Sequence, residues 1–292
     1  MEDMLVSVLM AVKNEADYIR EAIESVQQQS HSSLEIIVVD DHSDDATCAI
    51  VEEMAASDSR IVLGRSRGHG KVSAFNLAWE MSHGDVVVLF AGDDVMPQDS
   101  IANRVHLLQE RKLPVSTGKV KSFSTDAKYD GLILPRSGPS LGGGSTAFSR
   151  EFSNLVFPIP EVLPNEDSWT KLHIEAFAEG VAWNDKIVSY YRIHEGNSMA
   201  FGAPFQMKRS VLDQRGMVYD IFLEKYKGRL SQSFRTHVES LARLNRLRSE
   251  GKVLGIALLP RVPLKQKSAA ISYATPLLYS LRVALERHLL GR

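Results

Sequence analysis

One cysteine, Cys48, stands in the 292 residues, so no internal disulfide can form and stability has to come from burial. A lone thiol fits a reducing compartment. Nowhere do about 18 apolar residues run without a break, the length a membrane-spanning helix needs. The opening stretch MEDMLVSVLMAVKNE carries acids where a secretory signal carries positive charge, and its apolar run stops at Lys13, so it reads as a strand. Two glycine fingerprints that cradle phosphates are also missing. No G-x-G-x-x-G follows the first strand and no G-x-x-x-x-G-K-[ST] occurs, which removes the main support for a dinucleotide oxidoreductase or a P-loop nucleotidase.

The hydrophobic fraction, 44%, is enough to fill a core, and the length favours a main domain with an appendage. Net charge is −2, but it is divided unevenly: residues 205–292 hold 17 basic and 6 acidic side chains, leaving about −13 on the first 204. An acidic region followed by a basic helical one implies two tasks, or one task with an electrostatic anchor.

Apolar runs and amphipathic stretches alternate over the first hundred residues. Leu5–Val12, Leu34–Asp40, Arg60–Leu63 and Val86–Phe90 read as strands. Ala16–Gln28, a stretch capped by Ser43, and Lys71–Ser82 read as helices between them. This βαβαβαβ order predicts an α/β fold with a mostly parallel, Rossmann-like sheet and helices on both faces. Right-handed crossovers bring the carboxyl ends of the strands to one edge, where Asp41, the basic loop Gly64–Gly70 and the pair Asp93-Asp94 share a crevice. Two adjacent carboxylates on such a turn suit a hard divalent cation, Mg²⁺ or Mn²⁺, or the hydroxyls of a polar ligand.

The run VSVLMAVKNEADYIREAIESVQQQSHSSLEIIVVDDHSDDAT, followed by GHGKVSAFNLAWEMSHGDVVVLFAGDD, closely resembles the nucleotide-binding half of family 2 glycosyltransferases, inverting enzymes of the GT-A fold. The resemblance is dense over residues 4–110 and sparse to about 200. It implies that Asp41 binds the base of a nucleotide, that Asp93 lies near the ribose, and that Asp94 carries most of the metal binding. Many members have acid-x-acid-acid; Ala91-Gly92-Asp93-Asp94 lacks the first acid. The resemblance further puts Ala11 and Glu15 beside the nucleotide, and Lys71 or Arg67 near its base or diphosphate. His42 and His69 read as turn and loop residues.

Past residue 110 the periodicity weakens, with strand-like pieces at Pro114–Phe123 and Gly131–Leu134. The triple glycine Gly142–Gly144 leaves backbone bare for close approach by a ligand; in the family a comparable stretch lies under donor sugar and acceptor, implicating Gly143 and Gly144. Glu166-Asp167, at the start of a predicted helix over 168–179, matches the family's ED motif. Inversion by single displacement needs one carboxylate to take the acceptor's proton. The resemblance assigns that base to Asp167, with Glu166 as the alternate. Trp169 suits either a sugar face or the core. Val181–Ser189 and Tyr190–His194 read as two strands, and the Tyr-Arg-x-His run implies His194 at the metal or diphosphate and Arg192 at phosphate or sugar.

Residues 205–292 predict a helical extension, with helices over 205–226, 230–249 and 269–290. The catalytic domain is thus expected over 1–204, divided into a nucleotide half, 1–110, and an acceptor half, 111–204. In the last helix Leu277, Leu281, Leu285 and Leu289 recur every four residues beside Arg282, Arg287 and Arg292. Such a helix suits an anionic membrane surface, or packing on the catalytic domain or on a second subunit as a homodimer. Basic residues without interleaved aromatics argue against nucleic acid. The expectation is a cytoplasmic, metal-dependent, inverting glycosyltransferase, peripheral to the inner face of the plasma membrane. It would pass a sugar from a nucleotide-sugar donor, a UDP-sugar, to a saccharide or lipid-linked acceptor in bacterial surface polysaccharide or glycolipid assembly. The competing readings are a nucleotidyltransferase and a nucleotide-binding module without turnover.

Overall fold

In the computed structural model, which describes residues 4–194 and 204–289, seven residues with almost no exposed side chain, VSVLMAV, form the central strand β1 (Val6–Val12). It is followed by α1 (Ile19–Gln27), β2 (Leu34–Asp40), α2 (Thr47–Ser57), β3 (Ile61–Arg65), α3 (Lys71–Met81) and β4 (Val86–Ala91), the alternation expected. β1 lies between β2 and β4, both parallel to it, and β3 extends β2. A strand flanked on both edges and covered on both faces is mostly apolar; its one polar residue, Ser7, is fully buried and donates its hydroxyl to Glu35 Oε1 at 2.6 Å. Val8, Met10 and Val12 pack in one cluster with Ile19, Ala22, Ile23 and Val26 of α1, whose apolar side chains recur every three or four residues. The α3 helix covers β1 and β2.

Two helix starts differ from expectation. Tyr18 and Ile19 both donate to Glu15 O, at 2.9 and 2.8 Å, so residues 15–18 close a turn and α1 begins three residues late. Ser43 does not cap α2: its Oγ accepts from Asn14 N, and the Asp45 carboxylate instead takes Thr47 N and Oγ1, at 2.9 and 2.5 Å. Asp competes for local N–H groups more strongly than Ser does.

After β4 come α4 (Ser100–Arg111), β5 (Val115–Ser124), the two-residue β6 (Ile133–Leu134), a 3₁₀ turn at Gly143–Ser145, β7 (Thr146–Ser149), α5 (Arg150–Val156), α6 (Asp167–Phe177) and β8 (Val181–Ile193). The sheet is ordered β3-β2-β1-β4-β7-β5-β6, with β8 parallel to β5. Its second half is mixed, because β7 runs antiparallel to both β4 and β5. β8 is one strand where two were expected; irregular register around Thr117–Val120 of β5 absorbs the break in pattern. Arg104 of α4 is fully buried and donates to Thr146 O and Ser100 Oγ, tying the short strand β7 to the helix.

The chain divides into two compact units, Met1–Glu195 and Gly196–Arg292; the stretch 195–203 next to the expected boundary lies outside the described residues. In the second unit α7 (Phe205–Tyr226) and α8 (Gln232–Ser249) pair through Phe222 and Phe234 and through buried Arg248, which donates to Asp213 at 3.0 Å. The helix expected over 269–290 is broken into α10 (Leu264–Ser272) and α11 (Pro276–Leu289), preceded by a short α9 (Val253–Leu258). Pro276 has no N–H to continue a helix, so it opens one.

Candidate active site

Asp41 follows the last residue of β2 and is 4% exposed. Both its carboxylate oxygens accept the Gly70 N–H at 2.9 Å, which pins the basic loop against the sheet edge. Gly70 sits at φ 96°, a conformation glycine takes without strain, and the chain turns there directly into α3. Lys71 is therefore the first residue of that helix, and its Nζ lies 3.1 Å from Glu166 Oε1. Glu166 is 3% exposed and its second oxygen is buried without a hydrogen bond. Burial holds the Glu166 carboxyl above its ordinary range against the pull of the Lys71 ammonium. For Lys71 burial acts against the charge, but Glu166, Asp167 and Asp93 together outweigh it and raise the ammonium pKa.

The acid turn at the end of β4 is clamped from β8. Val95 and Tyr190 exchange backbone hydrogen bonds of 3.1 and 2.8 Å, and Asp94 Oδ1 accepts Arg192 N at 2.9 Å. Asp94 is 5% exposed; burial first, and Asp93 second, push its carboxyl up to about 8. Glu15, half-buried above the same turn, is pushed up to about 7 by burial and Asp93, with Lys71 opposing. Adjacent acids that resist ionisation mark a place where one more positive charge is favourable.

Gly143 N donates to Asp167 Oδ1 at 3.1 Å, and a methyl group on Gly143 would sit 3.2 Å from Glu166 Oε1. Gly144 faces open space. Lys71, Asp94, Gly143, Gly144, Glu166 and Asp167 line one cavity of about 190 Å³, with Tyr191 on its wall. Asp167, exposed, also borders a second and more open hollow with Leu141, Gly142, Ser168 and Lys171. Ala11 lies on β1 between Val39 and Ala91, a small residue at the sheet edge that carries the acids.

Of the expected site residues, Trp169 takes the core alternative, Arg67 and Arg192 take other positions, and His194 stays beside the acid turn. Trp169 is 0% exposed with Nε1–H on Val156 O at 2.8 Å, so it fills the core and offers no face to a sugar. Arg67 extends into solvent beside Glu80, at 3.5 Å, away from the cavity lining. Arg192 braces the acid turn: Nε donates to Asp93 O at 2.7 Å, Nη2 to Glu21 at 2.6 Å, and the guanidinium lies between the Tyr18 and Phe123 rings. His194 contacts Asp93 Oδ2 at 3.1 Å rather than Asp94, with its ring against Tyr18. Two histidines read as loop residues come together instead. His42 at φ 58° and His69 have ring centroids 4.5 Å apart, and with Asp41 they present three ligand atoms within 4.8 Å of one another. Tyr191 was missed because two adjacent tyrosines on a strand face opposite ways and nothing in the pattern says which faces the cavity.

A strand-end crevice with paired acids on a mostly parallel sheet defines the ligand-binding edge of an open α/β fold, and comparison with known proteins narrows it. The model of Glycosyl transferase family 2 matches residues 7–158, and the chain belongs to that family. It is 28% identical over 208 residues to the UDP-Glc:alpha-D-GlcNAc-diphosphoundecaprenol beta-1,3-glucosyltransferase WfaP of Escherichia coli, covering 67% of this chain and 80% of that one. Several other curated relatives are spanned over less than two thirds of their length. Among solved structures, S. aureus TarS 1–349 with UDP-GlcNAc aligns with TM-score 0.61 at 19% identity, covering 95% of this chain and 84% of that one. The mannosyltransferase PcManGT of Pyrobaculum calidifontis with GDP-Man and Mn²⁺ aligns equally well, 0.61 at 19%, over 96% and 86%. The fold is GT-A with added C-terminal helices.

Proposed function

We propose that this glycosyltransferase catalyses inverting, metal-dependent transfer from a UDP-sugar to a saccharide or lipid-linked acceptor in bacterial envelope polysaccharide assembly. The observation that carries the reading is Asp167, an exposed carboxylate bordering two cavities, one containing Lys71 and Asp94, the other open toward α6. A base for single displacement has to stand between donor and acceptor in this way. The acceptor hydroxyl gives its proton to Asp167, its oxygen bonds to the anomeric carbon, and the opposite bond to the diphosphate breaks with inversion. Lys71 faces the departing diphosphate, held there by Glu166. Asp41 receives the base, with Ala11 and Glu15 beside the nucleotide and Asp93 toward the ribose.

Asp94 with Asp93 suits Mg²⁺ or Mn²⁺: both are oxygen donors, one buried, and the repulsion between them is relieved by a hard cation. Bound there, the metal would neutralise charge on the diphosphate. Asp41, His42 and His69 form a nitrogen-rich set better matched to zinc-like ions, and Asp41 serves the transfer through the nucleotide base and not as a ligand of the catalytic metal. The donor assignment draws on WfaP and on the UDP-GlcNAc complex of TarS, and the lipid-linked acceptor on WfaP's diphosphoundecaprenol substrate. A nucleotidyltransferase would need no base between two cavities. The test is incubation with UDP-sugars, Mn²⁺ and a polyprenyl-diphosphate-linked sugar, with the product anomer read by NMR. Transfer with inversion supports the reading; product of retained configuration, or nucleotidyl transfer to a sugar phosphate, removes it.

A further inference from the structure

From residue 251 to residue 285 the chain carries Lys252, Arg261, Lys265, Lys267 and Arg282 and not a single Asp or Glu. Every strongly exposed leucine of the second unit's described residues falls inside that stretch. Leu254, Leu258 and Leu264 are 79, 82 and 81% exposed, and Leu277, Leu281 and Leu285 are 71, 53 and 59%. They are not spare core residues. The inward side of α9 and α10 is already filled: Ile256, Leu259, Val262, Ala270 and Ala274 are buried in a cluster with Leu244 of α8, and α11 turns Tyr279 inward. Leu254 and Leu258 share one side of α9 and Leu264 opens α10, so three leucines lie along the α9–α10 corner with Arg261 and Lys265 between and beside them. Leu277, Leu281 and Leu285 form a second ridge along α11, one turn apart.

We infer that the acid-free segment 251–285 is a docking surface for an anionic lipid bilayer, with leucines entering the acyl boundary and cations at the headgroups. Charge decides among the occupants. A second copy seated face to face would bring Arg261, Lys265, Lys267 and Arg282 together with no acid inside the segment to answer them; Glu250, which pairs with Lys252 at 2.8 Å, and Glu286 stand only at its ends. A bilayer of anionic lipid supplies a continuous negative plane and takes apolar side chains along any line without shape-matched pockets. Among the described residues no helix is long and apolar enough to cross a membrane, so the contact is peripheral. The surface deepens the lipid-linked acceptor reading, yet its test needs neither donor nor acceptor.

The experiment is flotation of full-length protein with vesicles of phosphatidylcholine alone or with 30 mol% phosphatidylglycerol, a probe composition, at low and high salt. The expected result is binding to the anionic vesicles only, weakened by salt. Arg261→Gln with Lys265→Gln should lower partition about 25-fold, at about fivefold per cation. Leu254→Ser with Leu258→Ser should abolish binding, and because both side chains are exposed the melting temperature should hold. An Asp167→Asn protein should float like wild type, which separates docking from catalysis. Equal binding to neutral vesicles, no binding at low salt, or leucine-dependent dimerisation in sedimentation velocity would each overturn the inference.

Discussion

Replacing Asp167 by Asn removes a proton acceptor and leaves its surroundings in place. The side chain is exposed and holds two neutral contacts, Gly143 N at 3.1 Å and Asn165 Nδ2 at 3.4 Å, and an amide oxygen can keep the first. As an acid in the first turn of α6 it also favours the helix dipole, worth about 0.3–1 kcal/mol, so the variant should fold with a small loss. Its turnover should fall about 10²- to 10⁴-fold, the usual contribution of a positioned base and equivalent to about 3–5 kcal/mol of barrier. The assay is kcat at saturating donor and acceptor beside nucleotide affinity by calorimetry. Glu166→Gln is the control that a misassignment would confuse with it. That change strips Lys71 of its buried partner and should cost about 2 kcal/mol in chemical denaturation, with activity lost through the fold of the site. Unchanged turnover in Asp167→Asn with nucleotide affinity intact refutes the base assignment.

Gly143→Ala should lower transfer, because its methyl would press on Glu166 Oε1 at 3.2 Å and shift that carboxylate against Lys71. Gly144→Ala meets nothing, so any loss of activity there reads ligand contact and not fold. Hydrogen bonds from Arg60, the nearest at 2.7 Å, hold the Asp58 carboxyl well below its usual range, even against the opposing effect of burial. A depressed folded pKa contributes fully above the unfolded value of about 3.9 and the contribution is lost as pH falls through the folded value, so Asp58→Asn should cost about 2 kcal/mol at pH 7 and progressively less below about pH 4, followed by thermal unfolding. Manganese-dependent nucleotide binding should survive His69→Ala and vanish in Asp94→Ala; the reverse would move the metal to the Asp41, His42 and His69 set.

The first half of the fold was legible because β1, β2 and β4 are buried on both faces and α1 has a clear apolar face, whereas α3 is buried from Val72 through Asn76 and shows little period. Burial and period say little about partners. The antiparallel β7 is four residues long, and its place between β4 and β5 depends on long-range pairing and on Arg104, which no local pattern announces. At the site, the acids and glycines could be named from turn chemistry and from the family resemblance. Arg192 and Trp169 could not be assigned, since a cation bracing a turn and a cation awaiting phosphate, or a core indole and a sugar platform, have the same sequence signature. His42 and His69 lie 27 positions apart and meet because the loop is held by Asp41 through Gly70 and by His42 Nε2 against Gly68 O at 2.9 Å.

The most direct test is thermal shift and calorimetry of wild type and Asp94→Ala with UDP, GDP, CDP, TDP and ADP, each with and without Mn²⁺. UDP is expected to bind tightly to wild type, only with Mn²⁺, and not to the variant. Binding of no nucleoside diphosphate, or metal-independent binding unaffected by Asp94→Ala, would contradict it.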